Sequence, residues 1–167
     1  NEINGLFGLI DRNYNEVLPL KYTFLEVLKE NSDYYIFNID GKLQTAPCGL
    51  DYFPSGGKWG VLNTQGKIII PAVFDYLEVL NPYDTLEAKY LVARRGIQYD
   101  EDGWQSNPGV CGLIDLIGNE IIPFEYTDIY MGEKDQLIVR KGGDWAPYWY
   151  YESGGKCGVI NYSNKLL

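Results

Sequence analysis

Histidine is missing from all 167 residues of this chain. Its absence rules out His-based catalytic triads, imidazole metal ligands and imidazole proton shuttles. Cysteine is scarce, at three, and three cysteines make no disulfide framework. Cys48 stands alone, while Cys111 and Cys157 each precede a glycine in the same local setting. Positive charge is in deficit: 14 Lys and Arg against 23 Asp and Glu leave a net charge of −9. That balance repels phosphate backbones and argues against a nucleic-acid partner. No apolar run reaches the roughly eighteen residues of a membrane-spanning helix, so no helical insertion into a membrane is expected. No basic-plus-apolar leader heads the chain, which starts without Met, so it reads as a mature or excised piece.

What is present points to strands and turns. Apolar residues make up 46%, which excludes disorder as a whole-chain reading, and the length fits a single domain over residues 1–167. The 19 glycines and 15 tyrosines favour hairpins over long helices.

The chain repeats. Gly8, Gly60 and Gly112 are spaced by fifty-two residues, and Gly158 opens a fourth, shorter copy. Pro19, Pro71 and Pro123 each follow their glycine by eleven. The stretches "GLIDRNYNEVLP" (8–19), "GVLNTQGKIIIP" (60–71) and "GLIDLIGNEIIP" (112–123) share an aliphatic pair, an Asp or Asn, a polar turn and a second aliphatic run. Tyr22, Phe74 and Tyr126 stand three residues past each proline, and Leu25, Leu77 and Ile129 three further on. The repeats run over about 5–56, 57–108, 109–154 and, in part, 155–167.

Each copy reads as a hairpin. The aliphatic pair ends one strand, and Asp11, Asn63, Asp115 or Asn161 opens the turn, where a short polar side chain bonds nearby backbone N–H groups. A ladder of carboxylates at this position is the competing, cation-binding reading. Gly66, Gly118 and Asn164 fall where the turn needs a left-handed residue. Tyr14 in the first copy does not suit that position, so its turn is expected to shift onto Asn13 or Asn15. Proline is expected to end the returning strand by withholding a ladder donor. A third strand follows at 34–39, 89–95 and 136–141, and long tips at 42–57, 96–109 and 142–155 lead into the next copy.

A single copy has too little apolar surface to fold alone, so neighbours must stack into a continuous core. The expected architecture is an all-β antiparallel hairpin repeat array, an open twisted stack of sheets, with a small propeller-like closed ring as the alternative. Ending in mid-hairpin, the chain reads as a fragment of a longer array, or as one whose last strand pairs with its first.

At this point the pattern resembles the WG-repeat family, whose signature is roughly K-W-G-L-I-D-x-x-G-K-x-I-I-P-x-x-Y-D-x-I. "KWGVLNTQGKIIIPAVFDYL" (58–77) matches it almost slot by slot, and "GLIDLIGNEIIPFEYTDI" (112–129) nearly as well. The defining tryptophan is present only as Trp59; Phe7, Cys111 and Cys157 fill its slot elsewhere, which makes this a divergent member. The resemblance implies a bacterial binding or interaction module rather than a catalyst, and no specific ligand. The compartment stays open between the cytoplasm and the envelope or exterior.

The tips occupy one phase of the repeat, so stacking is expected to bring them to one edge, where repeat insertions often form a binding face. Tyr52, Phe53, Trp104, Trp145, Tyr148 and Trp149 would supply contact area there. Asp51, Asp100, Asp102 and Asp144 would supply polar selectivity. "QYDEDGW" (98–104) lacks the ligand spacing of an EF-hand and reads as a solvated acidic tip. Alternate rings of "DWAPYWYYES" (144–153) could instead face a core. Cys111 and Cys157 share a slot with Phe and Trp and read as core filler.

The leading expectation is a non-enzymatic module that binds a protein, peptide or glycan, without cofactor, metal or catalytic residue. Flanking repeats of a parent chain, or self-association through terminal strands, are the other expected contacts. Two alternatives stand beside it: a carboxylate-based, glycoside hydrolase-like enzyme, and an acidic inhibitor or immunity-like protein for a basic partner.

Overall fold

The computed structural model describes residues 5–28, 33–45, 52–80, 89–146 and 151–167, with side chains described for all of these except 52, 145, 146 and 151–153. Among them there is no helix. The chain divides into two compact units, Asn1–Phe74 and Asp75–Leu167.

Unit 1 holds β1 (Phe7–Ile10), β2 (Glu16–Tyr22), β3 (Phe24–Val27), β4 (Tyr34–Thr45), β5 (Tyr52–Asn63) and β6 (Ile68–Phe74). They form a β1–β2 hairpin and a sheet in the order β3-β4-β5-β6. Unit 2 holds β7 (Tyr76–Val79), β8 (Tyr90–Arg95), β9 (Gln98–Tyr99), β10 (Gln105–Asn107), β11 (Val110–Asp115), β12 (Glu120–Tyr126), β13 (Asp128–Met131), β14 (Gln136–Lys141), β15 (Asp144–Ala146), β16 (Tyr151–Ser153) and β17 (Lys156–Asn161). Its sheets are β12-β11-β8-β7 and β13-β14-β17, with two-stranded ribbons β9–β10 and β15–β16. Every pairing is antiparallel, and no sheet closes into a barrel among the described residues.

The sheets are out of phase with the sequence repeat by half a copy. After each Pro-x-x-aromatic the chain changes sheet, and the second half of one copy pairs with the first half of the next: β3–β4 with β5–β6, and β7–β8 with β11–β12. None of the three- and four-stranded sheets therefore belongs to a single copy, which is why no copy is a folding unit by itself. Strands β3, β7 and β13 add to the three strands per copy that the sequence pattern predicts; "FLEV", "YLEV" and "DIYM" are too short to carry much periodicity.

The eleven-residue spacing has a steric cause. Across each hairpin the glycine faces the residue just before the proline. A Cβ on Gly8, Gly60 or Gly112 would sit 2.6, 2.6 and 2.7 Å from the carbonyl oxygens of Leu18, Ile70 and Ile122. The close approach arises because the returning strand carries extra residues there: Leu9 pairs with Leu18 but Phe7 with Tyr22, and the same shift recurs in β5–β6 and β11–β12. The strand does not end at proline, contrary to expectation. β2, β6 and β12 each run three residues past it, because all three lie at a sheet edge and the proline falls in the irregular stretch where no ladder donor is needed.

The turn reading holds, with one correction. Oδ1 of Asp11, Asn63, Asp115 and Asn161 accepts the N–H groups two and four residues on, at 2.7–3.1 Å. In the first copy the turn is not shifted: Tyr14 itself takes the left-handed position, φ 64°. Its N–H donates to the Asp11 carbonyl as Gly66 does to Asn63. The Asx bonds hold this turn against the cost that a side chain pays there.

Each unit has its own core. In unit 1, Leu18 and Tyr22 pack on Phe37 and Leu62, with Leu9, Leu25 and Ala72 beside them. In unit 2, Val92, Cys111, Leu113 and Ile122 pack on Ile129, Leu137, Val139 and Ile160. Cys111 is core filler as expected, fully buried. Cys157 is not: it is exposed, because no returning strand lies opposite it, whereas Cys111 is paired with Tyr126. Its return arm is the single bridge Ile160–Leu166. Cys48 lies outside the described residues.

Candidate functional site

The three long hairpins leave their sheets through the same corner. Two residues facing each other across the ladder both turn left-handed: Asp40 and Gly57 (φ 62° and 70°), Gly96 and Gly109 (79° and 67°), and Gly142 and Gly155 (70° and 77°). Opposed left-handed residues break the pleat on both strands at once, so the hairpin beyond them is free to take a new direction.

Each corner is pinned from the point where the chain changes sheet. Thr23 Oγ1 donates to the Gly41 carbonyl (3.3 Å), and Thr127 Oγ1 to those of Arg140 and Gly142 (3.2 and 3.1 Å). In the copy between them, the Asp75 carboxylate accepts the N–H groups of Gly96 and Ile97 (2.5 and 3.2 Å). These three residues stand four places after each repeat proline. Hydroxyl and carboxylate alternate at this position, so no shared residue type marks it, although both can bond a backbone corner.

Beyond the corners, the first hairpin continues its ladder to Thr45 opposite Tyr52, so Tyr52 and Phe53 belong to a strand rather than to a loop. Phe53 is half-buried and pairs with Gln44. In unit 2, β10 comes close to β15. Trp104 is half-buried, while Asp100, Asp102 and Asp144 are exposed. Trp145 lies on β15, opposite Glu152. Asp51, Tyr148 and Trp149 lie outside the described residues.

Asp100 has a second duty. Its Oδ1 accepts the N–H groups of Asp102 (3.1 Å) and Trp104 (2.8 Å), and Gly103 is left-handed at φ 82°. "DEDG" therefore folds as the repeat's own turn, a fifth time, inside an insertion. The signal was Asp100 and Gly103 at the spacing of Asn63 and Gly66. Among the described residues no group of three side chains is placed to hold a metal ion.

A charged group in unit 2 escaped the sequence entirely. Arg94 on β8 reaches the start of β13, donating to the Thr127 carbonyl (2.9 Å) and to the Asp128 carboxylate (2.6 Å). Both side chains of this ion pair are about 15% exposed (15% and 14%). Desolvation of its carboxyl pushes the pKa of nearby Glu78 up, although the residue stands exposed on β7; the Arg94 charge opposes that shift and Asp128 adds to it. The Tyr130 phenol is pushed up to about 12, by burial first and then by the Asp128 carboxylate. The guanidinium ties one sheet to the next. Arg94 and Asp128 stand 34 positions apart, so no local spacing announces the pair.

A family model described as WG containing repeat matches residues 7–42, 59–81 and 112–145. No curated protein and no solved structure matches the chain.

Proposed function

The chain belongs to the WG-repeat family, and on that footing we propose that it is a non-enzymatic recognition module that binds a protein, peptide or glycan through its hairpin tips. The observation that carries this reading is the recurring pinned corner. Three insertions of different sequence leave the array by one device, and two of them approach each other where β10 comes close to β15. A surface varied in side chains but constant in placement is what a recognition edge requires. Exposed Asp102 and Asp144 supply directional acceptors, and Trp104 and Trp145 supply ring area.

Peptide and glycan arrays probed with the tagged chain identify the ligand class. Replacing Trp145 and Trp149 together by Ala is then expected to weaken that ligand at least about tenfold, with thermal unfolding within a few degrees of the unmodified chain. A large loss of stability would mean that the rings serve a core. Release of product from any arrayed glycan would overturn the non-enzymatic reading. Binding that collapses with added salt would replace tip recognition by attraction of a basic partner to the net charge of −9.

A further inference from the structure

The second tip, β9–β10, forms a two-stranded sheet of its own, and a ribbon of that size does not fix its own direction. Its base decides where it points. On one arm, the Gly109 N–H donates to Asn107 Oδ1 (2.8 Å), two residues away, so this bond ties the arm to itself. On the other arm, Gly96 and Ile97 stand immediately before β9 and donate their N–H groups to a single oxygen, Asp75 Oδ2 (2.5 and 3.2 Å). Those two bonds reach back 21 and 22 positions, to the residue where the chain changes sheet. The Asp75 N–H donates in turn to the Arg94 carbonyl (2.9 Å), which holds the base of the carboxylate against β8.

The polarity of this corner is inverted relative to the other two. Thr23 and Thr127 donate their hydroxyls to carbonyls, whereas an ionised carboxylate only accepts. The first and third corners therefore turn peptide carbonyls toward the point of sheet change, and the second turns peptide N–H groups toward it. A charged acceptor shared by two N–H groups is also a stronger pin than a hydroxyl. It serves the ribbon whose β10 comes close to β15 of the third tip, with Trp104 on one ribbon and Trp145 on the other.

We propose that Asp75 is a positioning residue for recognition: by holding the Gly96 and Ile97 amides it aims β9–β10, so that the second and third tips meet a ligand as one surface. Asp75 acts through the ribbon and not by contact, and its role rests on the tip recognition proposed above. A ribbon that wanders presents the joint surface for only a fraction of the time, and apparent affinity falls by that fraction.

Spin labels test the aim without a ligand. In a Cys48→Ser, Cys157→Ser background they are attached through Ser106→Cys on β10 and Asp144→Cys on β15, both exposed positions. With Asp75 in place, one narrow distribution of label distances is expected. Asp75→Ala is expected to broaden it and to quicken amide exchange at Gly96 and Ile97 at least about tenfold. Exchange in β8 and β11 and the thermal midpoint should stay close to those of the parent. Asp75→Asn keeps an acceptor oxygen at the same reach and is expected to restore the narrow distribution and most of the protection. In the chain without labels, Asp75→Ala is expected to weaken the ligand found on the arrays at least about fivefold, and Asp75→Asn to bind nearly as the unmodified chain does. A distribution unchanged by Asp75→Ala, an Asn variant as broad as the Ala variant, protection lost equally across β8 and β11, or a broadened ribbon that binds as tightly as before would each overturn the proposal. If no arrayed ligand binds, it is tip recognition that falls, and the distances still decide whether Asp75 aims the ribbon.

Discussion

Around Trp59 the first unit packs ring on ring, whereas around Cys111 the second unit sets a guanidinium against a carboxylate. The two slots are equivalent in the repeat. Trp59 lies across the ladder from Asn38, and Phe24 lies 5.5 Å away, ring centre to ring centre. Cys111 lies across the ladder from Arg94, and Arg94 binds Asp128. Bulk lost from one strand reappears on its neighbour: Trp with Asn in unit 1, Cys with Arg in unit 2. The slot demands volume rather than tryptophan. Polar satisfaction differs as well. Asn38 is fully buried and its Nδ2 donates to the Gly56 carbonyl (3.1 Å), but its Oδ1 meets no donor, whereas the Arg94 guanidinium is bonded twice at the next sheet.

The largest effects come from attacking each slot in its own terms. Trp59→Ala is expected to cost about 3–5 kcal/mol, the cavity cost of a buried ring. Asp128→Ala is expected to cost a similar 3–5 kcal/mol or so, because it strands a buried cation. Rescue separates them. Arg94→Met combined with Asp128→Leu should restore most of the loss, since an apolar pair of similar size is close to neutral in such a site. Urea unfolding of the three variants measures this. A double variant no better than Asp128→Ala would show that the ion pair itself, and not the filled volume, holds the sheets.

A second comparison concerns the glycines. Gly112→Ala should cost about 1–3 kcal/mol, because its Cβ would press on the Ile122 carbonyl. Gly158→Ala should be nearly neutral, since its Cβ would meet only the Leu166 side chain, at 3.3 Å. Equal losses at the two positions would refute the steric account of the Gly-to-Pro spacing.

Smaller still is the turn at Tyr14. That side chain is 85% exposed yet held at φ 64°, so Tyr14→Gly should stabilise the protein by about 1 kcal/mol, read as a rise in the urea midpoint. Gly66→Ala at the matching position should do the reverse.

The smallest effect is that of acid. The Asn15 side chain and backbone hold the Asp11 carboxyl below its usual range. Burial pulls Asp115 upward, but hydrogen bonds from Asn119, Ile117 and Gly118 outweigh it and leave that carboxyl low too. A lowered carboxylate stabilises the fold at pH values above its unfolded pKa of about 3.9 and stops doing so as pH falls through the folded value. Amide exchange at 13, 15, 117 and 119 should therefore quicken between about pH 5 and pH 2, once corrected for the intrinsic rate. The same amides at 65, 67, 163 and 165, capped by Asn63 and Asn161, should not respond.

Legibility follows the distance over which an interaction acts. The turns were readable because Asx, left-handed residue and strand return lie within five positions; even so, Tyr14 misled, since a poor residue can be held in place by good neighbours. The strand that runs through Pro19 was misread because whether proline breaks a strand depends on which edge of the sheet it faces. Cys111 and Cys157 look alike in sequence and differ in burial, because only one has a returning strand opposite it. Of the candidate contact residues, the chain alone placed Trp104 and Asp100 on a tip. It could not say that Asp100 is spent on capping that tip.

Repetition, hairpin turns and the all-β class were settled by the chain, because each rests on contacts between residues a few places apart and those contacts recur every fifty-two positions or so. The partition of strands into sheets, the corners that aim the tips, and the Arg94–Asp128 tie were decided only when the chain folded. The corner contacts and the tie join residues from 13 to 34 positions apart, and at that separation it is pairing and packing, with no local periodicity to mark them, that choose the partner.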